Sequence, residues 1–226
     1  MFSSFDTTAF LKQLLYDAKN PLLFNNGFFV YLFFVFMVLY YLLRNNFKAR
    51  TNLFCITSLY FFYKASGFFV VLVIISAIAD FILSNAIYKQ KEQRKKKFLL
   101  ILSIVSNLSL LFYFKYTDFF IEIFNNTFST HLNPLNILLP VGISFYTFEN
   151  ISYTVDVYKG EFVPVKKFNE YLLFLSFFPK LVMGPIVRAR DFIPQISQPF
   201  NITKEDFSEG FFLIITGLFK KLIISD

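Results

Sequence analysis

The residues that could do chemistry in this sequence collect in Leu138–Arg190. Within apolar surroundings the stretch carries Gly142, Ser144, Thr147, Glu149, Asn150, Asp156 and Lys159. It is then interrupted by Pro179-Lys180 and Gly184-Pro185, and followed by Arg188 and Arg190. Broken helices bearing polar groups are tolerated at membrane depth only where they are buried in protein or line a water-filled cavity. On that reading Glu149, Asn150 and Tyr153 line a polar path, while Pro179, Gly184 and Pro185 shape a break in the chain. Lys180, Arg188 and Arg190 could attract an anionic, phosphorylated donor. Each group also has a plainer role open to it. Asp156 and Lys159 would mark the water interface, and so could Glu149 and Asn150. The basic residues would anchor the chain at the inner face. Two further polar residues sit inside apolar runs. Asp80 is a functional candidate that could equally pair with a neighbouring helix, and Asn107 is placed for an interhelical hydrogen bond.

Several chemistries have no motif to stand on. The sequence holds no Gly-rich phosphate loop, no CxxC and no HExxH, which leaves nucleotide and zinc chemistry without a signature. Cys55 is the single cysteine, so there is no disulfide framework and no thiolate metal site. His131 is the single histidine and lies in a polar turn with Thr130 and Asn133-Pro134. It reads as a solvated residue, and no serine has a histidine partner in view. No catalytic residue and no metal ligand is expected here.

The elements that must position these groups follow from composition. Of 226 residues 56% are hydrophobic, 22% aromatic and only 16% charged, against about a quarter charged in a soluble domain. The fold class expected is all-α: a polytopic helical membrane protein with about five to seven membrane-embedded helices, including a re-entrant element. The net charge of +7 comes from basic residues in short loops between apolar runs. That placement follows the positive-inside rule rather than nucleic-acid binding. Residues 1–20 read as a surface segment without the features of a cleavable signal peptide.

Spans are expected at Leu22–Leu43, starting at Asn20-Pro21 or after Asn25-Asn26, and at Thr51–Tyr63 and Gly67–Ile87. The last two form a hairpin turning near Lys64–Gly67. A single crossing would leave Lys89–Lys97, with six basic residues and one acid, on the wrong side. Phe98–Tyr116 is the next span, Asp118–Asn136 an outer segment with interfacial character, and Leu138–Val157 the returning helix. Loops 44–50, 88–97 and 158–167 are then cytoplasmic. Phe168–Val187 should break at Pro179 and, with basic residues on both flanks, enter and leave by the cytoplasmic face. Asp191–Ile202 is a proline-containing loop. Thr203 and Asp206 have capping-box spacing before a last helix, Phe207–Ile224.

Four blocks in order resemble one family. Asn107-Leu108 leads to Phe114-Lys115-Tyr116. Leu139-Pro140-Val141-Gly142-Ile143-Ser144-Phe145-Tyr146-Thr147-Phe148 is followed by Tyr153-Thr154-Val155-Asp156-Val157-Tyr158-Lys159-Gly160. Then come Phe177-Phe178-Pro179-Lys180-Leu181 with Gly184-Pro185-Ile186-Val187-Arg188 and Pro194-Gln195, and finally Gly217-Leu218-Phe219-Lys220-Lys221 with Asp226. The set is similar to the membrane-bound O-acyltransferase (MBOAT) family, in its alginate and peptidoglycan O-acetyltransferase branch. The resemblance implies acyl transfer, usually of acetyl, from a cytoplasmic acyl-CoA or similar thioester to a glycan hydroxyl. No bound cofactor is expected. It also implies a catalytic histidine in an Arg-Trp-His type motif beyond the fourth block, and this sequence has no such histidine and no Trp. Residues 1–226 are therefore expected to form one membrane domain, the N-terminal portion of the family's fold, inactive alone. The implied partners are the lipid bilayer, a glycan acceptor and an extracytoplasmic O-acetyltransferase partner, with no nucleic acid. Two other readings stay open: a non-catalytic membrane partner that recruits an outer-face transferase through 117–137, and a transporter or flippase fragment.

Overall fold

Helices account for nearly all regular structure because long apolar runs leave each backbone amide no better partner than its own chain. The computed structural model describes residues 13–22, 24, 26–181, 184–196, 198–199, 201–220 and 223. Residues 1–12, Asn25, Lys221, Leu222, Ile224 and Asp226, on which sequence expectations fell, lie outside the described residues. Among the described residues there is no strand.

Helix α1 spans Gly27–Leu42. It starts after Asn26, whose side chain accepts from Phe28 N at 2.9 Å; Asn20 is engaged instead with Asp17, 3.1 Å away. Helix α2 is Phe47–Ser66 and helix α3 is Val70–Lys89, joined by a short 3-10 turn at Gly67–Phe69. Gly67 has φ +63°, and Phe62 and Val73 pack into one cluster, so the chain reverses where the hairpin was expected. At 20 residues, or about 30 Å, α2 is longer than the thirteen-residue run predicts. The stretches 47–89 and Gln93–Phe128 are long and apolar enough to cross a membrane.

Helix α4, Gln93–Phe128, departs from expectation. The helix does not stop at Tyr116 but continues without interruption into the segment behind it; its 36 residues extend about 54 Å, against a hydrocarbon layer of about 30 Å. Asp118 accepts from Leu135 N (2.7 Å) and Ile137 N (3.3 Å), folding the following non-helical stretch back against the helix. Helix α5 is Ile143–Lys159, starting five residues later than expected after Gly142 at φ +72°.

The pairs Phe36–Phe54, Ser103–Asp80 and Gln93–Tyr158, with Phe62 and Val73 together across the Gly67 turn, show that α1 to α5 alternate in direction. One end of the bundle therefore collects Arg44, Lys48, the Lys89–Lys97 loop, Lys159, Lys166 and Lys167. The other holds the Gly67 turn, where Lys64 Nζ donates to Gln13 O at 2.7 Å and to Leu15 O.

Helix α6, Phe168–Ser176, rises from the basic end parallel to α2: Asn169 meets Asn52 at 2.8 Å, and Phe178 N meets Ser58 Oγ at 3.3 Å. It stops at Phe177, whose ψ of 105° is extended, one residue before the short helix α7, Phe178–Leu181. Pro179 was expected to make this break. It lies instead in the first turn of α7, where its missing N–H is not needed. The chain then descends. Arg188 reaches Asp156, Arg190 reaches Glu161, and Arg50 binds the carbonyls of Ile196 and Gln198 back at the basic end. The segment Phe168–Gln198 thus enters and leaves by one end of the bundle.

Two boundaries are corrected further along. Residues 191–202 are not all loop: helix α8, Ala189–Ile196, contains Pro194 because burial of Ala189 and Ile193 outweighs one lost hydrogen bond. Helix α9, Lys204–Phe219, starts three residues before the expected Phe207, at the Thr203–Asp206 capping box.

A Cβ at residue 67 would lie 2.8 Å from the Tyr16 ring, at a φ that disfavours L side chains. Gly67→Ala is expected to cost about 1–2 kcal/mol from backbone strain alone. That should lower the midpoint of thermal unfolding in detergent by roughly 2–8 °C; an unchanged midpoint would contradict the turn.

Candidate functional site

The site is built on one helix. Along α5, Asn150, Tyr153, Thr154 and Val157 recur at helical spacing and are buried. Their polar groups pair across three other helices. Tyr171 of α6 donates its hydroxyl to Asn150 Oδ1 at 2.6 Å. Asn150 Nδ2 donates to Asn107 Oδ1 of α4 at 3.2 Å. Asn107 Nδ2 donates to Asp80 Oδ2 of α3 at 2.6 Å. Ser103, one turn before Asn107, donates to the other Asp80 oxygen, with Thr154 3.4 Å away. Every member is buried. The result is a directed chain of donors ending on one carboxylate, and both its oxygens are occupied. Asp80 therefore pairs with a neighbouring helix, and Asn107 bridges helices.

The second cluster joins α5 to the turn of the segment that leaves and returns to the basic end. Lys180 Nζ lies 2.7 Å from Glu149 Oε1, and the two side chains are only 7% and 4% exposed. The same oxygen is 3.5 Å from Val187 N, so Glu149 holds both limbs of the turn. Lys180 also sits over the rings of Phe174, at 4.0 Å, and Phe192, at 5.0 Å, a placement that favours a desolvated cation. The close turn needs Gly184: a Cβ there would fall within van der Waals overlap of Lys180 Cα, Cβ and O. Phe178, at the tip, is packed among Phe29, Phe33, Phe36, Phe54 and Phe61.

The residues predicted from sequence separate into groups. Glu149, Asn150 and Lys180 come together in the interior, and Tyr153 is buried with its hydroxyl accepting from Val165 N at 3.0 Å. None of them lines the cavity at either end of the bundle. Pro179 and Pro185 are exposed, and His131 is exposed as well. Asp156, expected at the water interface, is buried, and Arg188 approaches it at 3.7 Å with half of its own side chain exposed. Sequence reasoning missed Tyr171 and Ser103. The spacing of Ser103 to Asn107 and of Asn150 to Thr154 puts polar pairs on one helical face, and that signal was readable.

No family model and no solved structure matches the chain. Curated relatives do. A peptidoglycan O-acetyltransferase of Helicobacter pylori is 31% identical over 235 residues, covering 91% of this chain and 45% of that protein. A protein of Azotobacter vinelandii named probable alginate O-acetylase AlgI is 33% identical over 217 residues, covering 91% and 42%. A teichoic acid D-alanyltransferase of Bacillus subtilis is 30% identical over 93 residues, covering 41% and 22%. The chain thus spans less than half the length of these relatives.

Removing one partner of the buried pair leaves an uncompensated charge. Glu149→Gln and Lys180→Met are each expected to destabilise by about 3–5 kcal/mol. The double variant should recover most of that loss, because it buries no charge. Thermal unfolding of the four proteins in one detergent measures this; additive losses would show that the two groups are not coupled.

Proposed function

We propose that this chain, which belongs to the membrane-bound O-acyltransferase family, works within a membrane O-acetyltransferase of a cell-envelope or exported polysaccharide. The observation that carries the reading is alignment over 91% of the chain with relatives named as a peptidoglycan O-acetyltransferase and an alginate O-acetylase. In the reaction an acetyl group leaves the sulfur of a cytoplasmic acyl-CoA or similar thioester and joins a sugar hydroxyl oxygen. The hydroxyl proton and the thiolate are released together as the free thiol.

The fold supports a division of labour in one membrane domain. α1 to α5 cross the bilayer with the basic end in the cytoplasm, so that loops 44–50, 88–97 and 158–167 lie inside. Phe168–Gln198 enters from that side and turns within the membrane, shaped by Pro179, Gly184 and Pro185. Glu149, Asn150 and Tyr153 form the wall behind it, and Lys180 fixes its tip. Arg188 is exposed at the basic end and there meets the anionic portion of the donor. The glycan acceptor approaches from the opposite face, where an extracytoplasmic O-acetyltransferase partner would receive the acyl group or deliver the glycan.

Deleting the encoding gene is expected to abolish the acetate released by mild alkali from the envelope polysaccharide, and re-expression of the intact gene to restore it, whereas residues 1–226 alone should not. Arg188→Gln should restore acetylation only with a rise of roughly tenfold in the KM for the thioester, the loss of one charge-assisted contact. Acetate release unaffected by the deletion would overturn the reading.

A further inference from the structure

Arg50, at the start of α2, is a buried cation with no acidic partner among the described residues. Its side chain belongs to a residue only 5% exposed. Nη2 donates to Gln198 O at 2.6 Å and to Ile196 O at 3.3 Å. The guanidinium lies near the rings of Tyr40 (5.7 Å) and Phe47 (6.0 Å). Among the described residues no carboxylate lies within ion-pair distance of it. The contrast within the molecule is direct. Buried Lys180 has Glu149, and the cavity that Lys64 faces at the other end contains Asp17. Two backbone carbonyls neutralise only part of a desolvated guanidinium, and a buried charge is costly unless it is paired.

Arg50 lines a cavity of about 300 Å³ at the basic end, between α2 and the descending limb of the re-entrant segment. Among the described residues its lining contains no acidic residue. The floor is apolar, formed by Phe54, Phe177 and Phe192, and the rim carries the amides of Gln195 and Asn201. A guanidinium in an apolar cup selects an anion attached to an apolar or amide-bearing arm, and its planar fork suits phosphoryl oxygens. A cavity of this size is at the small end of ligand pockets. It takes a phosphoryl group and the first part of an arm, not a whole nucleotide.

We propose that the Arg50 cavity binds a phosphoryl-bearing amphiphile at the basic face of the membrane domain. Two sources share that chemistry: an anionic phospholipid of the surrounding leaflet, and the phosphopantetheine arm of a thioester donor. The second source rests on the acyl-transfer reading and the first does not. The test is binding alone, so it is decided whether or not that reading holds.

Purified chain in detergent is titrated with phosphatidylglycerol against diacylglycerol, and with phosphopantetheine against pantetheine. Native mass spectrometry reads the lipid pair and calorimetry the soluble pair. One phosphoryl compound is expected to bind at least about tenfold more tightly than its phosphate-free counterpart. Preference for phosphatidylglycerol assigns the lipid, and preference for phosphopantetheine the donor arm. Arg50→Lys should retain part of the preference and Arg50→Gln lose it. Gln195→Trp fills the cavity mouth from an exposed position and leaves the carbonyl partners of Arg50 in place. It should also lose the preference, and it decides the matter if Arg50→Gln does not fold. No preference in either pair, or a preference that survives Gln195→Trp, would overturn the proposal.

Discussion

Burying a charge is costly unless it is paired, and Glu149–Lys180 is the contact in which two opposite charges are buried together. The pair sits between α5 and the tip of a segment that rises half-way and returns. If Lys180 moved away, Glu149 would be stranded beside aromatic and aliphatic side chains, at a cost of several kcal/mol. The surrounding features make sense from this requirement. The helix stops at Phe177 so that the chain can turn Lys180 inward, and Gly184 admits the Lys180 backbone closely enough for the return. Phe174 and Phe192 shield the ammonium.

The hydrogen-bonded chain from Tyr171 to Asp80 does complementary work. It passes through α6, α5, α4 and α3 in turn, so it fixes the relative height of four helices as well as their contact. Uniform apolar packing specifies such a register weakly, and hydrogen bonds between helices specify it well. With register set, Glu149 arrives at the level of Lys180, and Asp156, two turns along the same helix, meets Arg188. The position of the re-entrant segment thus depends on polar groups far outnumbered by phenylalanines.

Much of this was legible in the sequence. Basic residues in both loop 44–50 and Lys89–Lys97 called for an even number of passes between them, which put a reversal near Gly67, and the Thr203–Asp206 spacing located the last helix start. Basic flanks on both sides of Phe168–Val187 gave the entry and exit of that segment. Other features depend on tertiary packing that spacing does not carry. Pro179 looked like the break, yet the chain breaks two residues earlier because Phe178 is drawn into the aromatic cluster of α1 and α2. Pro194 looked incompatible with a helix, and burial of Ala189 and Ile193 outweighs it. Asp156 near a helix end read as a water marker; only the return of Arg188 shows that it is covered.

The central claim is that Phe168–Gln198 enters and leaves by the basic face. Single cysteines at Lys167 and Gln198, each in a Cys55→Ser background, flank that segment. Labelling with a membrane-impermeant thiol reagent in sealed right-side-out and inverted vesicles reads the side of each. Both positions should react only when the cytoplasmic face is accessible. Reaction of the two positions from opposite faces would mean that the segment crosses the membrane, and the account would fail.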